Sequence, residues 1–204
     1  MKPLIMPLIE DIPQAECGGR TVYIVLSRSR SILSNIISTL TNDKYTHSAL
    51  SLDKDLKYMF TFGRKKHTNP FIGCFKQEKF TDAFYKNYSN LPGVVLEVEI
   101  SEEQYYNIVS DISCFVTEAS SYRYNVSGLM RAAFRLKNPC YSNQPKNKYF
   151  CSEFVYHILH KNDLFTLENN KKNTIRPQHF LQVSSNKVFE GNLLHYRPVP
   201  KHLG

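Results

Sequence analysis

No two cysteines of this chain stand at C-x-x-C spacing, and the five that occur (Cys17, Cys74, Cys114, Cys140 and Cys151) are an odd number. That pattern excludes the usual zinc motifs and a disulfide framework, and it fits reduced thiols in a cytoplasmic setting. No apolar run approaches the roughly 18 residues that a membrane span needs. The opening segment, MKPLIMPLI, is interrupted by Pro3 and Pro7, and acidic Glu10 and Asp11 follow at once. It is too short for the apolar region of a signal peptide and carries no small-residue cleavage site, so export by the ordinary route is not expected. Internal repeats, low-complexity tracts and a domain boundary are also missing. The 204 residues, 42% hydrophobic and 22% charged, therefore read as one globular domain whose core needs no staples.

What the chain does have is positive charge. Lysine and arginine number 26 against 18 acidic residues, a net +8, but the excess is scattered, with small clusters at Arg64-Lys65-Lys66-His67 and Lys171-Lys172. A solvated basic surface and attraction to an anionic surface or polymer both fit. No nucleic-acid recognition motif accompanies the charge, so no nucleic-acid partner is expected.

Periodicity gives an α+β order of elements. Thr21 to Leu26 is a continuous β-branched and apolar run, a buried strand. Ile32, Leu33, Ile36, Ile37 and Leu40 form a helical stripe. Thr46 to Leu52 alternates, with His47, Ala49 and Ser51 on one face and Ser48, Leu50 and Leu52 on the other. Lys57 to Phe62 returns as a hairpin arm, and 63–90 reads as a long irregular segment, a candidate binding loop. Val94 to Ile100 is a half-exposed strand, and Ser101 with Gln104 is a capping box opening a helix. A shorter helix is expected within Asn125 to Leu136, and 140–148 reads as a polar loop. Another short helix starts at Arg176-Pro177-Gln178, and one or two strands are expected over Lys187 to Arg197.

In the stretch KYFCSEFVYHILH, apolar residues at Cys151, Phe154, Val155, Ile158 and Leu159 follow the spacing of a one-sided helix that Cys151 opens. A buried cysteine there is a small hydrophobe; at a helix N-terminus it is equally a thiol of lowered pKa, a nucleophile. A nucleophile needs a base within hydrogen-bond reach. His157 is rotated roughly 240° from Cys151 and raised about 9 Å along the helix, so it cannot serve. Glu153 and His157, four residues apart, read as a surface pair. No further ligands accompany them, so neither a metal nor another cofactor is expected. His47, beside the small residues Ala49 and Ser51 on a face that a helix N-terminus could approach, is either a satisfied core histidine or that base.

The segments YTHSALSLD at 45–53 and YFCSEFVYHIL at 149–159 together resemble the circularly permuted papain-like fold of the NlpC-type superfamily, in the branch of YiiX-like proteins and lecithin:retinol acyltransferase. YMFTFGRK at 58–65 and YRYNVSGLM at 122–130 extend the likeness, which covers about residues 20 to 197 and leaves 1–19 as an N-terminal extension. More narrowly, the chain looks like a bacterial group of YiiX-like proteins. The resemblance implies an antiparallel sheet packed against helices, Cys151 as nucleophile and His47 as its partner. It further implies an amidase, peptidase or acyltransferase that works through a thioester on a small amide, a peptide or an acyl lipid. Relatives carry a polar residue, often His or Glu, on the strand after the histidine strand to orient the imidazole. Here the best-placed polar residue of that strand is Thr61, with Asn125 as another option. Tyr122, Tyr124 and Asn125 are expected to line the substrate cleft. A binding protein that keeps the cleft without turnover is the alternative, motivated by the uncharged Thr61.

Overall fold

The computed structural model describes residues 19–28, 42–66, 69–82, 85–86, 88–134, 147–167 and 175–198. Strand β1 (Arg20–Ser27) is the middle of the molecule because its sequence is apolar on both faces. Val22, Ile24 and Leu26 enter one core, while Tyr23 and Val25 enter another on the reverse side. It is flanked by β2 (His47–Ser51) and by β5 (Pro92–Ile100), with β3 (Met59–Lys66), β4 (Asn69–Gln77) and β8 (Asn186–Asn192) outside them. The six strands run in the order β4-β3-β2-β1-β5-β8, and every neighbouring pair is antiparallel.

Helices α1 (Glu102–Thr117), α2 (Val126–Ala133) and α3 (Cys151–Lys161) follow the fifth strand. The capping box forms as expected: Ser101 Oγ accepts from the Gln104 N–H at 3.1 Å, and Gln104 Oε1 accepts from the Ser101 N–H at 2.9 Å. Helix α1 buries Tyr105, Ile108, Val109, Ile112 and Phe115. Phe154 of α3 seals the sheet to the helices, its ring 5.8 Å from Phe62 and 5.4 Å from Phe75. A side chain buried like this contributes about 1.5–3 kcal/mol of transfer free energy. A short parallel pair, β6 (Arg123–Tyr124) with β7 (Lys148–Tyr149), sets the starts of α2 and α3 side by side. The result is a mixed α+β fold, an antiparallel sheet contacting helices. Among the described residues no helix is long and apolar enough to cross a membrane.

Three differences from the sequence reading matter. The segment 63–90, expected to be irregular, contains the end of β3 and all of β4, paired from Phe60 opposite Gln77 to Lys66 opposite Asn69 with one bulge. Helix α3 packs on the Ser48 and Leu50 face of β2, not on the Ala49 face: Ala49 joins Tyr23, Val25, Met59, Tyr85, Leu91 and Val95 on the reverse side. The expected final strands are β8 and a 3-10 turn at Leu193–His195, and Pro177–Gln182 is likewise a 3-10 helix. The helix expected from Ile32 to Leu40 and most of the polar loop at 140–148 lie outside the described residues.

Candidate active site

Cys151 is the first residue of α3, where the leading N–H groups of a helix have no partners inside it. Phe150 is the cap residue but has no side-chain acceptor, and the start of the helix is fixed by Glu153 instead. Glu153 Oε2 accepts from the Phe150 N–H at 3.1 Å. Far from being a surface residue paired with His157, Glu153 is 1% exposed. Asn125 explains how a carboxylate can be buried there: its Nδ2 donates to both Glu153 oxygens, at 3.1 and 2.9 Å. Asn125 Oδ1 accepts from the Gly128 N–H at 2.9 Å and from the Ser127 hydroxyl at 3.1 Å. Asn125 therefore fixes the start of the Cys151 helix from behind. His157 turns the other way, its ring against Phe115 and Tyr149, and burial pulls its pKa down.

The Cys151 thiol and the His47 imidazole lie near enough that each shifts the other's ionisation. The thiol is nearly buried, 4% exposed. Burial alone pushes its pKa up, but the hydrogen bond and charge of His47, the Ser48 backbone N–H and the Ser152 hydroxyl outweigh that, and the net direction is down. His47 Nε2 lies 2.8 Å from Glu78 Oε2. Their side chains are 20% and 3% exposed. Burial opposes the imidazolium, but the Glu78 charge and the bonds to Cys151 and Glu78 win, raising His47 to about 10.

Glu78 stands immediately after β4, its N–H donating to the Met59 carbonyl at 2.8 Å. Its second oxygen, Oε1, lies 3.1 Å from Lys76 Nζ, and the Tyr85 hydroxyl also donates to it. Burial would raise a lone carboxyl here; His47, then Lys76 and Tyr85, hold it well below the usual carboxylate range. Burial and the neighbouring Glu78 charge push the Tyr85 hydroxyl well up, so it keeps its proton and remains a donor.

Thr61 does not take the place expected of it. Its hydroxyl donates to the Ser48 carbonyl at 2.8 Å, beyond the two residue pairs, Leu50–Phe60 and Ser51–Met59, that join β2 to β3. The carboxylate on the imidazole is Glu78, which sequence reasoning missed. The available signal was the aromatic run FIGCF ahead of it, a strand pattern that would have set Glu78 at a strand end. Tyr122 sits in an aromatic cluster, its ring 4.5 Å from Phe115 and 6.1 Å from Tyr149, with its hydroxyl 3.5 Å from Glu118. Tyr124 covers Gly73 of β4, where any Cβ would fall 2.4 Å from its ring. The structure thus places Cys151 near His47, puts Asn125 behind the helix start, and packs the half-buried Tyr122 against the core.

Chemically the arrangement sets a buried thiol whose pKa is lowered beside an imidazole whose pKa is raised, with a carboxylate on the imidazole. Among the described residues no cluster of His, Cys, Asp and Glu could hold a metal ion. Compared with models of known families, with curated proteins and with solved structures, the chain matches none.

Proposed function

We propose that this protein is a cysteine-dependent hydrolase or acyltransferase of the permuted papain-like kind, acting on an amide or ester bond. The observation that carries the reading is the line of contacts from Cys151 through His47 to Glu78. The order of elements, a histidine strand early and a nucleophile helix late, agrees with it. So does the antiparallel sheet against which the nucleophile helix packs.

In this reading the Cys151 thiolate attacks the carbonyl carbon, and the carbon–oxygen π pair moves onto oxygen. The Cys151 backbone N–H, unpartnered inside the helix, supplies an oxyanion donor. The His47 imidazolium gives its proton to the departing amine or alcohol as the tetrahedral adduct collapses to a thioester. Neutral His47 then takes a proton from water or from a second acceptor, which attacks the thioester and releases Cys151. Glu78 holds the imidazole in one orientation and balances the imidazolium charge. A charged third partner removes the reason for preferring a silent binding protein, which rested on the uncharged Thr61. Reduced thiols favour a substrate met inside the cell, a small amide, peptide or acyl lipid.

The test uses p-nitrophenyl acyl esters as probes. A burst of about one equivalent of p-nitrophenol, with an acyl mass increment on Cys151, is expected for the wild type and is lost in Cys151→Ala and His47→Ala. Acylation absent from Cys151, or equal on the other cysteines, overturns the proposal.

A further inference from the structure

Next to the nucleophile lie two serines that the mechanism above does not use. Ser48 of β2 and Ser152 of α3 are separated by 104 residues, and the Ser48 hydroxyl donates to Ser152 Oγ at 3.4 Å. Both are 0% exposed. Ser152 Oγ is 3.9 Å from Cys151 Sγ, within hydrogen-bonding range for sulfur. A hydroxyl has one proton and two lone pairs. With the Ser48 hydroxyl on one of its lone pairs, Ser152 keeps its own proton available to donate to sulfur. The Ser48 backbone N–H also acts to lower the thiol's pKa.

We infer that Ser48 and Ser152 form a buried two-hydroxyl relay whose function is to aim a proton at the Cys151 thiolate, making both serines positioning residues for the nucleophile. A dry site has no water to solvate a thiolate, so each oriented donor counts for more than it would at a surface. The inference rests on the reading of Cys151 as a reactive thiolate and deepens it by naming what holds that thiolate besides His47.

The experiment follows iodoacetamide alkylation of Cys151 by mass spectrometry across pH. In Ser152→Ala the midpoint moves up, and the rate at neutral pH falls about threefold to tenfold, the range for a modest charge-assisted hydrogen bond. Above the midpoint the rates of the two proteins converge. Ser48→Ala gives a smaller fall in the same direction, because its backbone N–H is retained. The double variant equals Ser152→Ala alone, since the Ser48 hydroxyl acts only through Ser152. A midpoint that stays put in Ser152→Ala, or a double variant in which both effects add in full, overturns the inference. Packing loss alone would lower Tm without moving the midpoint. Should Ser152→Ala fail to fold, Ser48→Ala decides by itself, and an unmoved midpoint overturns the relay. His47→Ala, run in parallel, tests the parent reading separately. Indifference of the wild-type rate to His47 sinks the Cys–His pairing, while the serine relay still stands or falls on the Ser152→Ala midpoint.

Discussion

His47 Nε2 and Glu78 Oε2 meet at 2.8 Å across 31 residues of chain, one at the start of β2 and the other just past the end of β4. The pair fixes the orientation of the imidazole and favours its charged form against the pull of burial. Glu78→Gln preserves shape and a hydrogen bond but removes the charge. The expected outcome is a fall of about tenfold or more in Cys151 alkylation at neutral pH, as the imidazolium weakens and the thiolate with it. Stability falls by about 1–3 kcal/mol, read from denaturant midpoints. An unchanged alkylation profile would remove Glu78 from the site.

Stability should depend on pH at both ends of the range. His47 is raised above its ordinary 6.5 to about 10, so its contribution is complete below about pH 6.5 and is lost as pH rises through about 10. Glu78 is depressed below 4.5, so its contribution is complete above that value and is lost as pH falls beneath it. Cys151→Ser removes one of the groups that hold the imidazolium, and it is expected to shift the alkaline decline toward lower pH. Thermal melts of both proteins from pH 3 to 10.5 check the sign of each limb.

Asn125→Ala takes both donated hydrogen bonds from a carboxylate that is 1% exposed. Stripping hydrogen bonds from a buried charged acceptor costs about 1–3 kcal/mol. Because Glu153 also holds the Phe150 N–H, the same change loosens the start of α3. Lower Tm accompanied by slower Cys151 alkylation is the expected signature. A loss of Tm with no change in Cys151 reactivity would show that Asn125 supports the fold without positioning the nucleophile.

Gly128→Ala sets two effects against each other. In an ordinary helix interior the change stabilises by about 1 kcal/mol. Here the new Cβ would fall 2.4 Å from Asn125 Nδ2, and that amide is already committed to Glu153. Displacing it breaks a buried network, an effect of about 1–3 kcal/mol that outweighs the helix gain. Net destabilisation in urea is expected, and a stabilised variant would mean that the amide moves aside freely.

How much of this could be read from the sequence depended on whether the signal was local. The Ser101 capping box, the two-sided β1 and the helix opened by Cys151 are written in spacings of three to seven residues, and the structure contains all three. The histidine's partner is not written locally. Glu78 acquires its place from the pairing of β3 with β4, and Pro70, Gly73 and the neighbouring lysines hide β4 among loop-like residues. Glu153 misled in the opposite way. Its i, i+4 relation to His157 resembles a solvent-exposed pair, and only a residue from another helix start, Asn125, accounts for its burial. The face of β2 was misjudged because small side chains, Ser48 and Ala49, occur on both sides of the strand. Sequence alone does not say which side the helix covers.

The separation of the site along the chain has a consequence for how the protein comes into being. His47 and Glu78 emerge from the ribosome well before Cys151, and the contacts that lower the thiol's pKa are among the longest-range in the molecule. Pairings of this kind form late, because closing long loops must precede them. During synthesis and early folding Cys151 therefore lacks those contacts, and in the proposed reading its reactivity is switched on only when α3 docks on β2, which spares the newborn chain indiscriminate acylation and oxidation. Pulsed alkylation of Cys151 at neutral pH would serve as a clock for the last step of folding.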